Sequence, residues 1–344
     1  MDAMPRVSII ILNWNGWKDT IECLESLYQI TYPNYDVIVV DNGSDNESVE
    51  KIKEYAEGRL PVESHFFEYI MENKPLHYVE HSQGDAETER GTEKVIVHLP
   101  LDKKLILIKN DKNLGFAEGN NIGIKYAFKI YSPEYILLLN NDTVVDKNFL
   151  TELVNVARSD EQIGFAGPKN YYYDYHGRTD VINFAGGKIT LWKGRSEHVG
   201  MRDIDNGQYD HIVNTDYITG ACLLARREVL EEIGLLDPAY FMYWEEADWC
   251  MRARNIGYKL VYIPGAKIWH KVAASQNGNV NKFFFVRNTF IFIKKNASKI
   301  QYAIFLLYFF GFKFWYLSGI YIIHHRNVKE WISIVRGTFE GIKA

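Results

Sequence analysis

Four unbroken apolar runs, at residues 6–12, 35–40, 105–109 and 135–139, set the rhythm of the first half of the chain. Each is followed by a polar turn and then by a segment of helical period, at 16–29, 48–56, 118–130 and 148–157. Apolar runs without alternation are expected of parallel strands covered on both faces. Ile21, Leu24, Leu27 and Tyr28 recur at helical spacing in the first of the intervening segments. Strand and helix in alternation predict an α/β protein with a doubly wound sheet, in which ligands gather at the carboxyl ends of the strands. The turns at those ends are rich in Asn, Asp and Gly: 13–15, 41–45, 113–117 and 140–143. Glycines and asparagines at 113–121 would let a backbone approach a ligand closely, with free N–H groups suited to an anion such as a diphosphate.

Two stretches depart from this rhythm. Residues 57–104 are polar and poorly periodic, and read as an insertion whose function is not legible; 80–94 is its most loop-like part, with short elements expected at 62–71 and 95–99. Beyond a strand at 163–168, the Gly- and Tyr-rich span 169–210 predicts strands and hairpins, with Gly186-Gly187 as a turn. A strand at 217–225 and a short helix at 227–233 follow.

The chain then reaches residues 241–271, FMYWEEADWCMRARNIGYKLVYIPGAKIWHK, around which the rest is organised. Glu245, Glu246 and Asp248 sit among Tyr243, Trp244 and Trp249, ahead of a helix expected at 248–255. Carboxylates among aromatics are costly to desolvate, so their pKa values are expected to rise, which suits a general base. Asp248 also reads as a helix cap that complements the dipole. Composition narrows the picture. A net charge of −5 argues against nucleic-acid binding by phosphate neutralisation. Cys23, Cys222 and Cys250 are scattered and read as small buried residues of a reducing compartment. No signal peptide is legible in MDAMPRVSIIILNWN, and a cytosolic catalytic part is expected.

Five blocks in order now resemble glycosyltransferase family 2, inverting enzymes of the GT-A fold: VSIIILNWN (7–15), VIVVDNGSDN (37–46), NLGFAEGNNIGI (113–124), YILLLNND (135–142) and 218–270. The acidic pair followed by Ala-Asp, and later by Trp-His, is similar to the rhamnosyl- and galactofuranosyltransferase-like members. The resemblance implies a nucleoside-diphosphate-sugar donor (UDP-, dTDP- or GDP-linked) held by Leu12, Asn13, Asn15, Asp41, Asn113, Gly115, Asn140 and Asn141. Asp41 would bond the donor's base, although it also reads as a turn residue. Asn140-Asn141-Asp142 stands at the family's DxD position with its first acid replaced by Asn, so one fewer charge faces a divalent cation, Mn²⁺ or Mg²⁺. Asp142 and His270 would be its ligands, or His270 is an ordinary core or surface histidine. The resemblance makes Glu246 the base, with Glu245 as the other candidate and Asp248 as a support; Gly220, Tyr243 and Trp244 would face the acceptor, or the two aromatics pack in the core.

The tail changes character. Residues 281–295 (NKFFFVRNTFIFIKK) carry Arg287-Asn288 inside an aromatic run and lack the family's QxxRW motif, which points to transfer of one sugar rather than polymerisation. Residues 302–323 are apolar, with Lys313 as their one charge and basic clusters on both sides. A membrane-associated segment is expected, interfacial ahead of a true span. The organisation is thus a catalytic domain at 1–275, with the insertion at about 57–104, and a membrane-associating helical region at 276–344. The expected activity is non-processive transfer to a glycan or lipid-linked acceptor at the cytoplasmic membrane face. A degenerate binding module is the alternative. A sugar-phosphate nucleotidyltransferase is a poorer one, because 13–18 lacks the Gly-rich basic loop which that chemistry needs.

Overall fold

The computed structural model describes residues 4–87, 104–272 and 281–344. The β-branched runs form strands: β1 (Val7–Asn13), β2 (Tyr35–Asp41), β3 (His77–Ser82), β4 (Lys104–Lys109), β5 (Tyr135–Asn140), β6 (Thr143–Val145), β7 (Ile163–Tyr172), β8 (Ile182–Phe184), β9 (Gly187–Thr190), β10 (Arg195–His198), β11 (Val213–Asn214), β12 (Cys222–Arg226) and β13 (Lys259–His270). One mixed sheet runs in the order β11-β13-β7-β12-β5-β1-β2-β4-β3, and β9 and β10 form a separate hairpin. β1 pairs in parallel with both β2 and β5, so connections leave it in both directions and a crevice opens at their carboxyl ends. β12 runs antiparallel to β5, which brings the start of β12 to that same rim.

Neighbouring residues of one strand serve opposite faces. Ile9, Ile11, Val37 and Val39 pack under the helices α1 (Trp17–Leu27) and α2 (Ser48–Ala56). After the short α3 (Gln83–Glu87) comes α4 (Gly115–Ile130), which covers Ile10, Ile38 and Val40 on the other face. α5 (Phe149–Ser159), α6 (Arg227–Ile233) and α7 (Glu245–Asn255) complete the two layers.

The insertion is the first departure from the expected pattern. β3, drawn from HYVEHS, is an edge strand paired in parallel with β4, and α3 continues the segment that read as loop. An edge strand with one face in water needs few apolar residues, which is why it was not legible. The span 62–71 holds no strand or helix until a single turn at Met71–Asn73, and the expected element at 95–99 lies outside the described residues. Gly186-Gly187 is not a hairpin turn: Gly187 opens β9, whose hairpin closes at Leu191–Lys193 instead.

The C-terminal region forms α8 (Lys282–Asn296), a helix at Lys299–His324 (α9), and α10 (Val328–Lys343). α8 and α10 approach closely at Gly337 and Gly341, where a Cβ would stand 2.5 and 2.6 Å from the carbonyl oxygens of Phe283 and Arg287. Any side chain there would force the helices apart.

Candidate functional site

Three groups of side chains meet the rim at the strands' carboxyl ends. The first lies between β1 and β2. Asn13 Nδ2 donates to Asp41 Oδ1 (2.6 Å) and Ser44 Oγ (3.2 Å), while Ser44 N–H reaches Asp41 Oδ2 (3.1 Å). Asp41 is buried, and its Oδ1 is already taken by Asn13 and Ser44. Asn15, at φ 56°, receives the Asp45 N–H and fastens the two turns together. Asn141 Nδ2 donates to Thr20 Oγ1 (3.0 Å), and Leu12 leans on Gly119 of α4. The expected donor residues Leu12, Asn13, Asn15, Asp41, Asn140 and Asn141 therefore share one rim.

Asn113 and Gly115 do not offer the anion-binding amides expected of them. Asn113 Oδ1 accepts from Gly115 N–H (2.8 Å) and from Asn42 Nδ2 (3.0 Å). The next two amides of α4, Phe116 and Ala117, donate to the Phe241 carbonyl at 2.6 and 3.3 Å. A Cβ at Gly115, whose φ is +82°, would stand 2.5 Å from that carbonyl oxygen. The glycine makes room for a protein loop, not for a diphosphate.

The second group lies where β6 pairs with β13. His270 Nε2 stands 3.1 Å from Asp142 Oδ1, and Lys271 N–H donates to the Asp142 carbonyl. Burial works against ionisation of Asp142, but His270, a backbone N–H and the Lys271 charge together hold the carboxyl below its ordinary value. His270 Nδ1 is buried without a hydrogen-bond partner among the described residues. The Lys271 ammonium spans Asp19 and Glu22 at 2.5 and 2.6 Å, which keeps those acids out of the Asp142 corner. Among the described residues no group of three or more His, Cys, Asp or Glu could hold a metal ion. Asp142 and His270 supply one hard oxygen and one nitrogen, donor types that would suit Mn²⁺ or Mg²⁺.

The third group is the acidic pair. α7 begins at Glu245, three residues before the expected start, so both glutamates lie in its first turn. The chain enters through Phe241, Tyr243 and Trp244, all in the left-handed region at φ 64°, 68° and 74°. Met242 N–H bonds the Tyr240 carbonyl at 2.8 Å around Phe241, a γ-turn. Each such residue costs about 1–3 kcal/mol and persists only where its surroundings hold it. Glu245 is buried, and desolvation together with the Glu246 charge raises its pKa well above the ordinary value. Glu246 keeps a solvent-facing edge. Desolvation raises its pKa too, against the backbone N–H groups of Glu246, Ala247 and Gly220. Gly220 precedes β12, and Ala221 accepts from Asn140 N–H at 3.0 Å. Glu246 thereby stands at the same rim as Asn140.

Three consecutive residues carry buried polar atoms without a hydrogen-bond partner among the described residues: Trp244 Nε1, Glu245 Oε2 and Glu246 Oε2. Leaving such groups unpaired costs about 1–3 kcal/mol each, so each of them calls for an explanation. The Trp244 ring lies in the core, 4.6 Å from the Phe292 centroid, so what it offers is an indole N–H rather than a stacking face. The Tyr243 hydroxyl accepts from Asn281 N–H. Asp248 is removed from chemistry altogether: it is buried and ion-paired with Arg252 and Lys295, and it accepts from Tyr240 and Asn296. Sequence reasoning missed the contribution of α8, whose Asn288 donates to carbonyls of the 240–243 loop. The available signal was an Arg-Asn pair inside an aromatic run, costly to bury unless it is bonded.

Comparison with known proteins adds to this geometry. Residues 77–287 match the family described as "Glycosyltransferase like family 2", and residues 8–81 match "Glycosyl transferase family 2". The chain is 24% identical over 211 residues to the low-salt glycan biosynthesis hexosyltransferase Agl10 of Haloferax volcanii, covering 57% of this chain. It is 24% identical over 214 residues to the dTDP-rhamnosyl transferase RfbF of Shigella flexneri, covering 56% of this chain. The chain spans 64% of the length of each of these two relatives. The mannosyltransferase PcManGT of Pyrobaculum calidifontis, solved with GDP-Man and Mn²⁺, superposes with a TM-score of 0.55 at 13% identity, over 99% of this chain and 88% of that one. The mixed sheet is the GT-A fold.

Proposed function

We propose that this chain, which belongs to glycosyltransferase family 2, moves a single sugar from a nucleoside-diphosphate sugar to an acceptor hydroxyl, inverting the anomeric carbon. The observation that supports this reading is Glu246, which stands beside Gly220 at the rim that also holds Asp142 and His270, and whose Oε2 has no hydrogen-bond partner among the described residues. An acceptor hydroxyl can donate its hydrogen to a carboxylate oxygen. Glu246 takes the proton as the acceptor oxygen attacks. Glu246 is the less buried of the pair, whereas the buried Glu245, raised by desolvation and by the Glu246 charge, holds its proton while Glu246 ionises. Asn13, Asp41 and Asn141 position the donor. Asp142 and His270 would hold a divalent cation, which when bound neutralises charge on the leaving diphosphate. Family membership sets the nucleotidyltransferase alternative aside.

The test is a screen of UDP-, dTDP- and GDP-sugars with and without Mn²⁺. Metal-dependent release of one nucleotide, with the product of opposite anomeric configuration by NMR, is the expected result. Nucleotide binding without turnover for any donor would turn the reading towards a binding module.

The acceptor reading draws on the tail. Among the described residues α9 alone is long and apolar enough to cross a membrane, yet only 11% of its most apolar window is buried. Lys313, the lysine within its apolar run, turns inward to donate to the Gly194 carbonyl (3.3 Å), while Ile300, Leu307, Trp315 and Ile323 face out. Phe305 and Phe309 pack the inner side against α8. A helix with one side on protein and an uncharged apolar side outward fits the membrane interface better than a span. We therefore place the enzyme on the cytoplasmic membrane face, with a lipid-linked acceptor. Each inserted side chain contributes about 1.5–3 kcal/mol. Leu307→Glu with Trp315→Glu is expected to lower partition onto phosphatidylglycerol vesicles at least tenfold and to leave turnover of a soluble acceptor unchanged. A wild type that stays in the supernatant would sink the idea.

A further inference from the structure

The loop that delivers Glu246 does not hold itself. Tyr240, Met242 and Tyr243 turn their carbonyl oxygens towards α8, where Asn288 Nδ2 stands 2.7, 2.7 and 3.0 Å from them. One amide nitrogen, with two hydrogens, thus serves three carbonyls. Its orientation is fixed from behind: Arg287 Nε donates to Asn288 Oδ1 at 2.9 Å, which leaves Nδ2 to face the loop. The Arg287 guanidinium also donates to the carbonyls of Ala239 and Tyr240. Asn288 is fully buried, so its own bonds to the loop do not compete with water.

The rest of α8 repeats the contact. Phe284 stacks on Phe241 (4.8 Å between centroids), and Phe292 packs on Trp244 (4.6 Å). Two turns on from Asn288, Lys295 and Asn296 reach Asp248 in the first turn of α7. From 240 to 244 every residue of the loop meets α8 through its carbonyl or its ring. The left-handed residues Phe241, Tyr243 and Trp244 would relax to ordinary backbone if released, and relaxation would swing these carbonyls off Asn288 and Glu246 off the rim.

We infer that Asn288, braced by Arg287, is a positioning residue for sugar transfer: its amide locks the 240–243 loop in the strained form that aims Glu246. The inference rests on reading Glu246 as the base. It ties the C-terminal helices, which carry the membrane-facing surface, to the chemistry of the catalytic domain.

The experiment compares Asn288→Leu, Asn288→Gln, Arg287→Met and Glu246→Gln with the full-length wild type. Thermal melts check folding, and calorimetry with UDP, dTDP and GDP reads nucleotide binding. Misaiming a reacting group by about an ångström costs up to roughly 100-fold. Asn288→Leu keeps the branched outline, with bulkier methyls, but has no N–H, and should lose 10- to 100-fold in kcat with KM for the donor and nucleotide Kd within about twofold. Amide hydrogen exchange over 240–246 should rise in the same variant. Asn288→Gln, which keeps the donor, should recover part of kcat. Arg287 is half-exposed, so Arg287→Met folds where the core variant does not and should show a smaller loss with the same exchange signature. Wild-type kcat in a folded Asn288→Leu, or loss of kcat without faster exchange in 240–246, overturns the inference. Turnover that survives in Glu246→Gln overturns the base assignment instead, and the exchange signature still reads the lock.

Discussion

Glu246→Gln should lower the transfer rate by about 10²–10⁴-fold, the usual worth of a general base, while nucleotide binding stays as in the wild type. The substitution keeps shape and replaces the carboxylate, whose Oε2 has no hydrogen-bond partner among the described residues, with a group that cannot accept a proton. The pH profile gives an independent reading. Desolvation raises both Glu245 and Glu246, and the Glu246 charge adds to the rise at Glu245, so activity should climb through a pH above the ordinary carboxylate value of 4.5. The pair titrates as a unit, and the midpoint belongs to both residues. Stability follows with a definite sign. A carboxyl whose folded pKa lies above its unfolded value leaves the fold fully stable below about 4.5, and stability is lost as pH rises through the folded value. Glu245→Gln removes that penalty. It should melt above the wild type at pH 8 and together with it below pH 4.5. Full activity in Glu246→Gln with a dead Glu245→Gln would exchange the two roles.

Much of the fold was legible because its central strands are buried on both faces. The runs at 6–12, 35–40 and 135–139 became β1, β2 and β5 within a residue or so. The β3 edge strand was not, because water covers one of its faces and HYVEHS lacks a buried strand's composition. The asparagines and acids of the rim could be named from the sequence, but their roles depend on contacts between distant segments. Nothing local in 113–117 reveals that the Phe241 carbonyl, more than a hundred residues away, occupies the first amides of α4. Asp248 read as cap or base until Arg252, Lys295 and Asn296 were seen closing around it. Trp244 looked like a sugar platform, yet its ring face belongs to Phe292. The boundary near 275 likewise divides residues that act together, since Asn288 and the loop before Glu246 lie on opposite sides of it.

Chelation should stop transfer, and Asp142→Ala should lower it on the order of 10²–10³-fold even in saturating Mn²⁺, several kcal/mol of lost charge stabilisation. Among the described residues Asp142 has no lysine or arginine in ion-pair contact, whereas Asp19 and Glu22 are both held by Lys271. It meets His270 instead, and an imidazole nitrogen suits Mn²⁺ better than Mg²⁺. His270→Asn should therefore narrow the preference for Mn²⁺ over Mg²⁺ rather than abolish turnover, and Mn²⁺ binding followed by electron paramagnetic resonance should weaken alongside. The asparagine at the start of the DxD-like turn supplies the opposite test. Asn140 ends β5 partly exposed, and Asn140→Asp adds a second carboxylate to the same turn. If Asp142 and His270 form the cation site, that variant should bind Mn²⁺ more tightly than the wild type. Transfer that is indifferent to chelator, together with Mn²⁺ binding unchanged in all three variants, would remove the cation from the mechanism and leave the charge of the departing diphosphate to backbone amides and lysines alone.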